Sequence, residues 1–159
     1  MINSSMVKLF VVFLAVGLLS GCMKEKEEVV IEVDLQGVIQ VSEDVNPGFE
    51  GRPSPIVVRI YQLKSVDLFE KVDFFSIYDD EKTALSDPQL VREELDLQPG
   101  ETIPYIRSWG ADANYIGVVV AFRDLDNAKW RSYIALPEIG AFPFIINVDS
   151  RTVSISKVK

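Results

Sequence analysis

Histidine is absent from this chain of 159 residues, and cysteine occurs once. The first absence removes the commonest general base and the commonest metal ligand, and it excludes a Ser-His-Asp hydrolase. The second excludes an internal disulfide and a cysteine-rich zinc site. Basic residues are outnumbered, with 16 Lys and Arg against 24 Asp and Glu, for a net charge of −8. Such a chain is repelled by phosphate backbones and by anionic lipid. No nucleic-acid partner is expected, and charge alone will not hold the chain on a membrane. No apolar run reaches the ~20 residues that a membrane-spanning helix needs. No Gly-rich phosphate loop, internal repeat or low-complexity tract is present. What remains is a chain of single-domain length, 48% hydrophobic, whose fold must be held by its core.

The one cysteine has a context. Residues 9–19 read LFVVFLAVGLL, apolar except for Gly17, and Lys8 is the only charge in residues 1–21. This is the pattern of a secretory signal peptide. It runs into Leu19-Ser20-Gly21-Cys22, which resembles the lipobox of bacterial lipoproteins. The resemblance implies cleavage between Gly21 and Cys22, acylation of the Cys22 sulfur and of the new amino terminus, and export. One acyl chain binds a membrane only marginally, whereas several hold stably. Position +2 is Met23 and not the Asp associated with inner-membrane retention, so the expected address is the outer membrane. The expected organisation is a signal peptide at 1–21, a lipidated tether at 22–28 and a folded domain at 29–159. Beyond the lipid on Cys22, no cofactor or metal is expected.

Within the domain, period-2 alternation predicts a strand over 29–41, where Ile31, Val33 and Leu35 alternate with Glu32, Asp34 and Gln36; Gly37 reads as a bulge. Residues 42–55, SEDVNPGFEGRPSP, carry no periodicity and strong turn chemistry at Asn46-Pro47-Gly48, and predict an exposed loop. The β-branched run 56–63 is a second strand. A helical patch follows, with Ser65 as a cap, Leu68, Phe69, Val72 and Phe75 on one face, and Asp73 starting a short second helix. Further strands are predicted over 90–97, 102–106, 115–123, 130–136, 144–148 and 152–158. In 115–123 both faces are apolar, so cover is expected on both sides. Eight strands with one helical insertion predict an all-β, two-sheet antiparallel sandwich.

Motifs for bond-making chemistry are weak. Ser154-Ile155-Ser156-Lys157 matches S-x-x-K, but on a strand the odd offset sends Ser154 and Lys157 to opposite faces. Asp124, Asp126 and Asn127 hint at a calcium loop, yet Lys129 stands where Gly is required and Ala135 where a bidentate Glu is required. A turn with Asx side chains bonding locally fits better. Glu93-Glu94 and Asp79-Asp80-Glu81 read as solvated surface. Loop 42–55 is longer than a connector needs, and its prolines limit the entropy lost on docking, so it is read as a partner-binding element.

Several segments then read together: Arg52-Pro53-Ser54-Pro55-Ile56-Val57-Val58-Arg59-Ile60-Tyr61-Gln62-Leu63-Lys64, Asp73-Phe74-Phe75-Ser76-Ile77-Tyr78, Leu97-Gln98-Pro99-Gly100-Glu101, and the stretch from Ile116 to Arg131 containing Phe122-Arg123-Asp124-Leu125-Asp126-Asn127. With the lipobox, they resemble the type VI secretion system outer-membrane lipoprotein family TssJ (VasD/SciN). The resemblance implies a transthyretin-like sandwich and a non-enzymatic role. It implies anchoring in the outer membrane by acyl chains, binding of the periplasmic C-terminal region of TssM and, through it, a link to TssL. In the family the loop between the first two strands contacts TssM; by position that is residues 42–55. The expected contacts are Glu43, Asp44, Asn46, Pro47, Phe49 and Glu50, the acids steering and Phe49 anchoring. The alternative expectation is a periplasmic lipoprotein that carries a small apolar ligand, which would require a ligand-sized apolar cavity.

Overall fold

Alternation sets the first strand. Along β1 (Glu32–Val41), Val33, Leu35, Ile39 and Val41 are buried while Glu32, Asp34, Gln36 and Gln40 face out. In the computed structural model, residues 32–158 are described apart from 88, 89 and 111. The signal peptide, Gly21, Cys22 and the tether lie outside the described residues. No helix among the described residues is long and apolar enough to cross a membrane.

After β1 come β2 (Ile56–Leu63), α1 (Phe74–Asp79), α2 (Glu81–Ala84), β3 (Val91–Leu97), β4 (Thr102–Gly110), β5 (Tyr115–Val120), β6 (Arg131–Ala135), β7 (Gly140–Val148) and β8 (Val153–Lys157). They form two four-stranded sheets, ordered β4-β1-β7-β8 and β3-β2-β5-β6, stacked as a sandwich. The expected all-β fold with a helical insertion between the second and third strands is what forms. One pair departs from the antiparallel rule: β1 and β7 run parallel. No turn joins them, so nothing local fixes their direction.

The core between the sheets is built from inward faces of both, including Leu35 and Ile39 of β1, Val58 and Ile60 of β2, Ile116 and Val118 of β5, and Phe144 and Ile146 of β7. A second core lies on the outer face of the other sheet. There Tyr61, Leu63 and Val119 meet Phe69, Phe74, Ile77 and Leu90 of the helical segment. The two-sided apolar pattern of β5 thus has the cover on both sides that the sequence called for.

Four local expectations need correction. Gly37 is not a bulge: it pairs in register with Tyr105 on one side and Phe144 on the other. A Cβ there would lie 2.3 Å from the Phe144 ring, so the missing side chain makes room for that ring. The helical face 68–75 does not exist as one face. Residues 66–72 form successive turns, Glu70 N–H bonding Val66 O and Val72 N–H bonding Leu68 O. The Asp73 carboxylate then accepts from the Ser76 N–H at 3.0 Å and starts α1 in a new phase. Phe69 is therefore buried whereas Leu68 and Phe75 are exposed. Ser65 caps no helix; its hydroxyl accepts from the Asp67 N–H in a local turn. Finally β4 continues beyond residue 106, because Arg107, Ser108 and Trp109 still pair with Leu35, Asp34 and Val33.

Of the acidic clusters, Glu81, Glu93 and Glu94 are fastenings, while Asp79 and Asp80 are exposed as expected. The Arg59 guanidinium donates to Glu94 at 2.7 Å and to Tyr78 O at 2.7 Å, and lies over the Tyr78 ring. Arg92 bridges Glu81 and Glu94 at 2.8 and 2.6 Å. Together they tie α1 and α2 to the sheet. Arg131 donates to the carbonyls of Phe69 and Val72, closing the preceding turns. Where β3 and β4 flank the open side of the sandwich, Glu93 accepts from Arg107 and from the Tyr105 hydroxyl across the two sheets. Hydrogen bonding to Arg107 holds the Glu93 carboxyl below the usual glutamate range. Burial pushes the Tyr105 hydroxyl up. The opposite side is closed by backbone bonds between Lys129 and the β7–β8 turn, Lys129 N–H to Arg151 O and Val153 N–H to Lys129 O, each 2.9 Å.

Candidate partner-binding loop

Loop 42–55 leaves β1 in one sheet and enters β2 in the other, so it is a crossover between layers and not a hairpin. Its base is stapled to three neighbouring connections. The Gly100 N–H of the β3–β4 turn donates to Ser42 O at 3.2 Å. The Ser42 N–H donates to Val148 O and the Asn46 N–H to Ser150 O, reaching the β7–β8 turn at 2.9 and 3.0 Å. Asn46 reaches the β5–β6 connection: its side-chain carbonyl accepts from the Arg123 N–H at 2.9 Å, and its amide donates to Pro55 O at 2.9 Å. Val45 is fully buried in the main core beside these bonds.

Asn46 is thus corrected from a surface contact to an internal brace. It is only 4% exposed, and both ends of its amide are spent within the chain. Its φ of +49° lies in the left-handed region, which Asn tolerates better than most residues. Beyond it the tip folds on itself, with the Gly48 N–H bonding Arg52 O and the Gly51 N–H bonding Gly48 O. Gly51 has a φ of +76°, which suits glycine. On this frame Phe49 stands clear of the protein, 108% exposed. Glu50 pairs with Arg52 at 3.2 Å, both well exposed, a geometry that contributes little energy. Pro47 is half-buried, and Glu43 and Asp44 are exposed near the base.

The sequence reading missed the residues that the fold brings beside the tip. Arg123, Asp124 and Arg151 join Pro47, Gly48 and Phe49 around one shallow, open depression of about 420 Å³. Asp124 accepts from Arg151 at 3.0 Å and from the Asn127 amide at 2.8 Å, within the turn Leu125–Asn127. The sequence places Phe122 and Arg123 at the end of a strand and Asp124 in the turn after it, whereas β5 ends at Val120 and all three belong to the connection. Nothing local announces that this connection lies against residues some seventy positions earlier. Elsewhere, Ser154 and Lys157 sit three apart on β8, where Lys157 lies over the Phe142 ring. The loop end offers contact surface: a bare aromatic ring, a guanidinium and a stiff backbone.

A model of the family described as type VI secretion lipoprotein, VasD, EvfM, TssJ matches residues 33–151. Among solved structures, the T6SS lipoprotein TssJ1 from Pseudomonas aeruginosa is 27% identical with a TM-score of 0.74, the match covering 82% of this chain and 98% of that one. Serratia marcescens Lip, a membrane-bound component of the type VI secretion system, is 26% identical with a TM-score of 0.61, covering 82% and 98%. A chain in the structure of the T6SS protein TssM C-terminal domain (869–1107) from EAEC is 25% identical with a TM-score of 0.63, covering 81% and 100%. No curated protein matches at a significant level.

Proposed function

Given that this chain belongs to the family of type VI secretion lipoproteins that includes VasD, EvfM and TssJ, we propose that it anchors the secretion machine to the outer membrane. Cleavage after Gly21 and acylation of Cys22 insert it there, on the periplasmic side. Loop 42–55 captures the periplasmic C-terminal region of TssM, and through TssM the inner-membrane protein TssL is reached indirectly. The protein acts by holding, with no turnover of substrate.

One observation carries this reading. The tether enters at Glu32, the first residue of β1, while the loop leaves from Val41 at the other end of that strand. Ten residues at about 3.3 Å each separate the two by on the order of 30 Å. A protein lipidated at one end therefore carries its stiff, Phe49-bearing loop at the end away from the lipid. The EAEC match supports the partner. About four fifths of these 159 residues fill that chain completely, too few to fill a 869–1107 span, so the chain matched accompanies the TssM domain. An apolar-ligand carrier would need room between the sheets, and the packed rings of Tyr105, Phe142 and Phe144 occupy that space.

The test is capture of the TssM periplasmic C-terminal region by the acylated protein in detergent. Phe49→Asp should reduce capture at least tenfold, as loss of an anchoring aromatic does, while leaving the melting temperature unchanged because the ring touches solvent. Undiminished capture by this variant would place the interface elsewhere.

A further inference from the structure

Three arginines lie at the loop end, and two are already spent. Arg52 pairs with Glu50, and Arg151 pairs with Asp124. Among the described residues no carboxylate lies within ion-pairing distance of Arg123, although its side chain is exposed. Its backbone is fixed by the bond from its N–H to Asn46, and its guanidinium passes over Gly48, where a Cβ would make ordinary contact at 3.6 Å. The same depression is bordered by the ring of Phe49. In a chain of net charge −8, this is an unneutralised cation set beside a bare aromatic, both held by one brace.

We infer that Arg123 and Phe49 form a two-point receptor for an extended, acidic segment of the partner. A carboxylate of that segment takes the Arg123 guanidinium, and an adjacent apolar side chain packs on Phe49. The inference rests on the TssM reading and deepens it by naming the chemistry of the bound segment and a specificity residue. The physical reason for an acid is complementarity. In a chain of net charge −8, an unneutralised guanidinium beside a bare aromatic ring gives an acidic segment a local attraction that steers it to this end of the molecule. A guanidinium takes a carboxylate through two parallel hydrogen bonds, which fixes orientation as well as charge. The preformed frame lowers the entropy lost on docking. The acids Glu43, Asp44 and Glu50 then discourage wrong registers rather than make the principal contact.

The experiment measures affinity of the acylated, mature protein for the TssM periplasmic C-terminal region at low and high salt. Arg123→Gln should weaken binding about tenfold at low salt and flatten the salt dependence. Arg123→Lys should keep the salt dependence while losing part of the affinity, because a point charge cannot form the fork. Phe49→Ala should weaken binding at both salts with the salt dependence intact. A partner variant with an Asp or Glu changed to Lys should restore binding to Arg123→Glu. If Phe49→Ala weakens binding and Arg123→Gln matches the parent at every salt, the acidic-segment inference is overturned and the TssM reading stands. If neither change matters, the inference is overturned and the interface lies elsewhere; if the parent itself does not bind the TssM region, the TssM reading is overturned. Equal melting temperatures of the variants exclude misfolding, and they are expected because among the described residues no carboxylate pairs with the Arg123 side chain.

Discussion

At the residue scale, the absences matter as much as the contacts. Gly37 is the clearest case, because its missing Cβ is the space that the Phe144 ring fills between β1 and β7. Gly37→Ala should lower stability by about 1–3 kcal/mol, the range for overpacking a core, read as a reduced urea midpoint with an unchanged slope. A midpoint equal to the parent's would mean that the ring can turn aside at no cost. Asn46 teaches the complementary lesson. Its place in Asn-Pro-Gly reads from sequence as turn chemistry; the turns form on either side, at 43–44 and 49–50, and Asn46 takes the bend between them. Its buried role is invisible there, because both partners of its amide become neighbours only after the chain folds: one is nine residues away and the other seventy-seven.

Elements were legible where a pattern repeats within one segment and illegible where a single long-range bond decides. Alternation along β1 and β5 and the β-branched run of β2 placed all three strands, and the apolar residues on both faces of β5 marked it as covered on two sides. Asp73 was legible as the start of a second short helix, and it is the cap of α1; the single apolar face drawn across 68–75 was wrong because the helix phase changes at that cap. The length of β4 follows from pairing with β1, which its own sequence does not contain. Glu93 shows the same limit, since it reads as a surface acid and instead fastens β3 to β4. Arg107 holds its carboxyl below the usual range, so the folded state favours the ionised form. That contribution is fully present above the ordinary glutamate value and is lost as pH falls through the lower folded value. Glu94, lowered mainly by Arg59, adds in the same direction. Glu93→Gln should therefore be less stable than the parent at neutral pH and should show a shallower loss on acidification, followed as urea midpoints from pH 7 to pH 3. Parallel curves for the two proteins would deny the fastening.

For the whole molecule, the fold class could be read from strand count and spacing. The convergence of three connections on the loop could not, because it is a property of sheet order. The proposed anchoring predicts that Cys22→Ser moves the protein from outer-membrane fractions to the soluble periplasm, with the melting temperature of the domain unchanged; continued sedimentation with outer membranes would refute it. The parallel pairing of β1 with β7 has a mechanical consequence. The strand that receives the tether at Glu32 and releases the loop at Val41 is flanked along nearly its whole length by β4 and β7. Tension between lipid and partner would run lengthwise down that strand, loading both ladders in shear so that their bonds must yield together rather than unzip one by one. A strand at the sheet's margin, gripped on a single side, would give way under a smaller tug, so the interior position of β1 suits a part that must not stretch when a contractile machine recoils.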